Sequence, residues 1–150
     1  MLPRTAARET ITVYNYLPIP TPEQPKRFTY KRTVLRDCVW LQDSHTQYRK
    51  TGIASADAVT LKIGFDADYV NASVFDGRGW TLALDEEITG TYIVRGDCPH
   101  AFPEEPDADA DFVEEYVMPF EKKYQYKRVR ELVERFAGNR GLWHVEARCK

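Results

Sequence analysis

Histidine and cysteine are the side chains best suited to metal binding or nucleophilic attack, and the chain has three of each. Their spacing brings few of them together. His45, His100 and His144 form no His-x-x-x-His repeat and Cys38, Cys98 and Cys149 no Cys-x-x-Cys pair, whereas a structural zinc wants four converging ligands. Cys98-Pro-His100 is the nearest approach, and two ligand types alone make no site. Ser44 and His45 are neighbours, and neighbours in an extended chain point to opposite faces. Neither this pair nor Cys98 with His100 reads as a nucleophile–base dyad. Carboxylates crowd residues 104 to 115, but a solvated, proline-rich loop is a poor place to raise a carboxyl pKa, which needs burial or a close like charge. Gly77-Arg-Gly79 lacks the strand and helix context of a phosphate loop. The expectation is a protein that is not an enzyme, with no catalytic residue, metal ligand or cofactor.

Binding is better served. Tyr48, Arg49 and Lys50 lie in a polar stretch from Asp43 to Ser55, where Tyr and Arg supply contact area and hydrogen bonds without being needed by a core. They are the candidate interface residues. Trp40, Trp80 and Trp143 each fall on a strand-like run and are expected to fill or cap the core; exposed, any of them would anchor a subunit contact.

The elements that would position these residues read as β-structure. Residues 10 to 17 place Ile11 and Val13 on one face and Thr12, Tyr14 and Tyr16 on the other, as in a half-buried strand. Pro18, Pro20, Pro22 and Pro25 end it in a stiff extended connector. From Phe28 to Leu41 the alternation runs unusually long, with Thr33, Leu35, Asp37, Val39 and Leu41 opposite Arg32, Val34, Arg36, Cys38 and Trp40. Such a strand can bulge and change partners midway, as barrel strands do. Residues 43 to 55, without periodicity, read as a long exposed loop that orders on assembly. Val59, Leu61, Ile63 and Phe65 mark the clearest strand. Asp76-Gly-Arg-Gly79 is a turn leading into Trp80–Leu84, and Glu87 to Gly96 a further strand with a bend at Gly90. Pro99, Pro103 and Pro106 open an acidic insertion, 99 to 115, expected outside the sheet.

The C-terminal third admits two readings. Val129, Leu132, Val133 and Phe136 have helical spacing, while Ala137-Gly-Asn-Arg-Gly141 between two apolar runs suits a hairpin turn. Phe112–Met118 could form two helical turns ended by Pro119.

Composition bounds these readings. A length of 150 residues suits one domain, here a single β-rich domain over 1 to 150. The formal charge of -2 gives no general attraction to a phosphate backbone. Locally, the acidic block 104 to 115 precedes a basic one carrying Lys122, Lys123, Lys127, Arg128, Arg130 and Arg135. That pattern reads as a solvated loop beside a solvated face, or as charge steering between like copies. Three unpaired cysteines point to a reducing compartment, and the N-terminal residues have no apolar core of signal-peptide length, so the chain is expected in the cytosol unless packaged into something larger.

Five segments, Ile-Thr-Val-Tyr-Asn at 11 to 15, Tyr-Lys-Arg-Thr-Val-Leu-Arg-Asp-Cys-Val-Trp at 30 to 40, Ala-Asp-Ala-Val-Thr-Leu-Lys-Ile at 56 to 63, Ile-Val-Arg-Gly at 93 to 96 and Asn-Arg-Gly-Leu-Trp-His-Val-Glu-Ala-Arg at 139 to 148, resemble in order a poorly characterised family of small tailed-phage proteins encoded among head and tail morphogenesis genes. The resemblance implies a mainly β fold, a small barrel or sandwich with long loops and room for one short helix. It implies a virion structural protein made in the bacterial host cytoplasm, of the head-closure or head-tail joining type. The implied partners are a homo-oligomeric ring, portal or adaptor and tail-end proteins, and DNA passing through the channel, with no membrane. The family pattern runs through a turn like Asn139-Arg140-Gly141 into a closing strand, which favours the hairpin. The proline-rich stretch 18 to 25 and the acidic insertion 99 to 115 depart from it. A tail-completion or minor tail protein is the near rival, and a small hydrolase or nucleotide-modifying enzyme the distant one.

Overall fold

In the computed structural model, six antiparallel strands close into a barrel in the order β1-β2-β5-β8-β7-β6. The strands are β1 (Glu9–Pro18), β2 (Phe28–Gln42), β5 (Val59–Gly64), β6 (Tyr92–Arg95), β7 (Tyr126–Arg135) and β8 (His144–Cys149), while β3 (Thr46–Arg49) and β4 (Gly52–Ser55), among the described residues, pair with each other in a separate two-stranded sheet. The structure describes residues 8–42, 46–49, 52–55, 58–64, 68–86, 88–107, 111–135 and 144–150.

The mainly β class is as the sequence suggests, and β2 makes the expected change of partner. Its first part pairs with β1, from Phe28 opposite Pro18 to Cys38 opposite Glu9, and its last four residues pair with β5. Between them Asp37 takes a φ of 59°, a left-handed conformation that Asp tolerates better than most residues, and the register slips by one. The bulge corrects the two-face assignment of this strand. Leu35 and Cys38, of opposite parity, both enter the barrel core.

The second bulge, between Val129 and Glu131, settles the C-terminal third. β7 and β8 form an antiparallel hairpin, and the extra residue sends both Val129 and Leu132 toward the core at the spacing of three that imitates a helix. Phe136 and the turn at 139 to 141 lie outside the described residues.

The barrel interior is solid. Ile11 and Val13, Leu61 and Ile63, Ile93, Val129, Val145 and Ala147 meet inside it. Trp80 and Leu82 enter from a segment that is no strand, only bridged to Tyr69, which corrects the strand-like reading of 80–84. This segment crosses the end of the barrel beyond Asn15 and Thr91. Asn15 Nδ2 donates to Thr81 O at 2.6 Å, Thr81 N donates back to Asn15 Oδ1 at 3.1 Å, and Thr91 Oγ1 accepts from Ala83 N at 2.8 Å. Lys31 Nζ donates to Gly77 O and Gly79 O, holding the turn expected there, in which both glycines have positive φ.

Outside the barrel, residues 98–107 and 111–124 wrap the outer face of β1, β2 and β6 and enclose a second core of Tyr14, Tyr30, Tyr92, Phe102, Val117 and Phe120. The described residues of the acidic insertion lie outside the sheet with their acids exposed, but the segment is anchored rather than free. Phe102 is buried, Thr29 Oγ1 donates to Pro103 O at 2.6 Å, and Arg27 donates to Pro106 O. Pro119 does not end the helical stretch. A π turn over Val113–Val117 passes into α1 (Met118–Lys123), where Pro119 occupies the first turn and a missing N–H costs little. The proline-rich 18 to 25 belongs to a closed hairpin connection and is not a stiff extended one: Ile19 N donates to Arg27 O, and Thr21 and Gln24 exchange main-chain bonds.

Candidate functional site

The residues singled out for chemistry go into structure. Cys98 is buried, its N–H donating to Thr12 Oγ1 and its carbonyl accepting from Arg32 Nε, both at 2.8 Å. His100 packs its ring against Phe102, Phe120 and Tyr124, and burial followed by the nearby Lys123 holds its pKa below the usual histidine value. His144 Nε2 lies 3.0 Å from Glu146 Oε1, and this contact, then Arg135 and Lys62, holds the Glu146 carboxyl below its ordinary range. The three cysteines, all buried, form no disulfide, and burial pushes the Cys149 thiol up to about 12, far from a reactive thiolate. Trp80 fills the core and Trp40 packs half-buried against it. Ser44, His45 and Trp143 lie outside the described residues.

Tyr48 and Arg49 are on β3, opposite Ile53 and Gly52, and Lys50 lies outside the described residues. Within the polar 43 to 55, the described residues 46–49 and 52–55 form a strand pair, which corrects the loop reading there. Cross-strand main-chain bonds need no hydrophobic alternation, and Thr46, Tyr48 and Ile53 are good strand formers. Gln42 is opposite Val59, so the chain leaves the barrel and returns to it at one point of the β2–β5 ladder, carrying this pair as an arm.

A cleft of about 640 Å³ opens where β1 and β7 begin and β6 ends, lined by Trp40, Val94, Arg95, Tyr124, Gln125, Tyr126 and Lys127. Register assembles it. The Asp37 bulge turns β2 so that Trp40 reaches this end, Val94 pairs with Tyr126, and Gly96 with φ 90° stops β6 just beyond Arg95. The Arg95 guanidinium lies 5.4 Å from the Trp40 ring centre and its Nε donates to Glu9 Oε2 at 2.6 Å. Lys123 Nζ sits 5.5 Å from the ring centre of Tyr124. Trp40 Nε1 is buried with no hydrogen-bond partner among the described residues. Arg95 and Lys127 make the lining basic, with Glu9 paired to Arg95. Of this group the sequence marked Trp40, as core, and Lys123 and Lys127, as part of a basic face. Arg95 and Lys127 stand alone in alternating strands, and only the register brings them together.

Fold and site together define a small closed β-barrel with a filled interior, an aromatic outer clasp and a basic cleft at one end. The chain belongs to the family of unknown function DUF6751, whose model matches residues 6–150. No curated protein and no solved structure matches it.

Proposed function

We propose that this chain is a virion structural subunit of a tailed phage, of the head-closure or head-tail joining type, which acts by assembling in a ring at the portal–tail junction and uses no cofactor. The sequence likeness to small morphogenesis proteins suggests the setting. The observation that carries the reading is the division of the molecule into a filled barrel and a separate two-stranded arm bearing Tyr48 and Arg49. Among the described residues the barrel interior is packed with side chains, which leaves the work to the surface. A short strand pair outside the barrel ladder has main-chain donors and acceptors with which a neighbour can pair. Quantitative mass spectrometry of purified particles tests it. A fixed copy number matching a ring supports the reading; absence from mature particles overturns it and favours an assembly factor or an enzyme.

A further inference from the structure

Where residues 80 to 84 cross the end of the barrel a second cleft opens, of about 550 Å³, and its chemistry is the reverse of the basic one. Its base is fixed. Asn15, Thr81 and Thr91 are buried there, and Asn15 Nδ2 donates to Thr91 Oγ1 at 3.3 Å besides the two bonds that Asn15 shares with the Thr81 main chain. Two short turns that are tied internally supply much of its rim. Asn71 caps the turn Ala72–Val74, its Oδ1 accepting from Ser73 N at 3.0 Å and Ser73 Oγ at 2.8 Å, and Thr89 donates from both N and Oγ1 to Glu86 O at 2.9 Å. A ligand therefore meets groups already held in place, which keeps the ordering cost of binding low.

The groups left over decide what fits. Asn71, Ser73, Glu86 and Thr89 all line the cleft and are exposed. The cap uses only the oxygen of the Asn71 amide, so among the described residues its NH2 is a donor without a partner, and the Glu86 carboxylate has no ion pair. Ser73 and Thr89 spend their hydroxyl protons within the rim and keep lone pairs to accept with. Half-buried Tyr16 and Phe75 and the exposed Leu84 add apolar surface. No Lys or Arg is among the described residues that line the cleft, so an anion would meet Glu86 with no compensating cation. A sugar ring combines what these groups ask for. Its hydroxyls donate to a carboxylate and accept from an amide, its C–H face lies against aromatic carbon, and it carries no charge. We infer that this cleft binds a neutral sugar, held by the Glu86 carboxylate and the Asn71 amide against Tyr16 and Phe75. The site needs no second copy of the chain and is independent of the virion reading above.

Two-dimensional NMR of the full chain, titrated to high millimolar concentration with the methyl glycosides of glucose, galactose, mannose, rhamnose and N-acetylglucosamine, tests it. The expected result is a saturable shift of the Thr89 and Thr91 amides and of the Asn71 side-chain NH2 with at least one glycoside. Glu86→Gln and Asn71→Asp should each weaken that binding by about tenfold, read at the Thr89 and Thr91 amides. Asn71→Asp retains the oxygen that caps the turn and removes the amide donor, and near-ultraviolet circular dichroism of both variants checks that barrel and clasp remain folded. Glucose 6-phosphate should bind no better than methyl glucoside. No saturable shift with any of the glycosides overturns the site, as does binding indifferent to both substitutions. Equal binding by cyclohexanol, which marks a merely apolar groove, or tighter binding by glucose 6-phosphate, which marks an anion site, overturns it too. Particle composition, measured separately, decides the virion reading whichever way these titrations fall.

Discussion

The two cores of this protein are built on opposite principles. Inside the barrel the side chains are largely aliphatic, positioned by the strand ladders and needing no directional bonds of their own. Under the clasp they are largely aromatic, and hydroxyl groups act as anchors: Tyr14 donates to His100 O at 2.6 Å, Tyr30 to Ile88 O at 2.6 Å, and Tyr92 and Tyr126 to the two carboxylate oxygens of Glu121. Burial pushes the phenols of Tyr14, Tyr30 and Tyr92 well above their ordinary range, keeping them protonated donors. A ladder repeats its own register, so its core can be generic. A segment without regular pairing must be located bond by bond, and tyrosine supplies apolar area and a directional tip in one side chain.

Because β1 and β6 present one face to each core, the two should unfold as one unit. Trp80→Ala is expected to cost most, about 3–5 kcal/mol by the usual range for a fully buried large aromatic, read by chemical denaturation. Phe120→Ala, at the centre of the clasp, should approach the same loss. It should lower one cooperative transition and create no second one. Hydrogen exchange in which 98 to 124 opens well before the strands would break this unity.

Asn15→Ala should cost on the order of 1–3 kcal/mol, because it leaves the buried Thr81 carbonyl and N–H without their partner. Tyr14→Phe should cost about 1 kcal/mol through its single hydroxyl bond to His100 O. A larger value for Tyr14→Phe than for Asn15→Ala would reverse the relation between the barrel end and the clasp.

Acid sharpens the contrast more gently. His100 is held below its ordinary pKa of 6.5, so the folded state disfavours its proton. Its contribution is complete above that value and declines as pH falls toward the lowered one. His100→Phe should flatten the stability profile just below pH 6.5. Glu146 on the uncovered barrel face, also lowered, favours the folded state above its ordinary 4.5 and loses that contribution as pH falls through the lowered value. Glu146→Gln should flatten the profile only below about 4.5. Thermal denaturation across pH 3 to 8 checks both.

What the sequence revealed follows the same division. β5 alternates buried and half-buried residues without interruption from Val59 to Gly64, and its period of two is plain. β2 and β7 hide theirs behind one extra residue each. Leu35 with Cys38, and Val129 with Leu132, share a core at a spacing of three, which in β7 reads as a helix. The clasp was hardest to read, since its acids and prolines look solvated while Phe102, Val117 and Phe120 carry the burial at no regular period. The cleft was legible only in part, through Trp40 as a core residue and Lys127 in the basic block. Residues from β2, β6 and β7 meet there by register, and register depends on bulges that no local pattern announces.

The central claim is that the surface of a filled barrel works by meeting other subunits. Electron cryomicroscopy of purified particles at the portal–tail junction tests it most directly. The expected map shows copies of this barrel in a closed ring, with the β3–β4 arm against a neighbouring subunit. A junction built without this chain, or copies of it standing apart with the arm facing solvent, would contradict it.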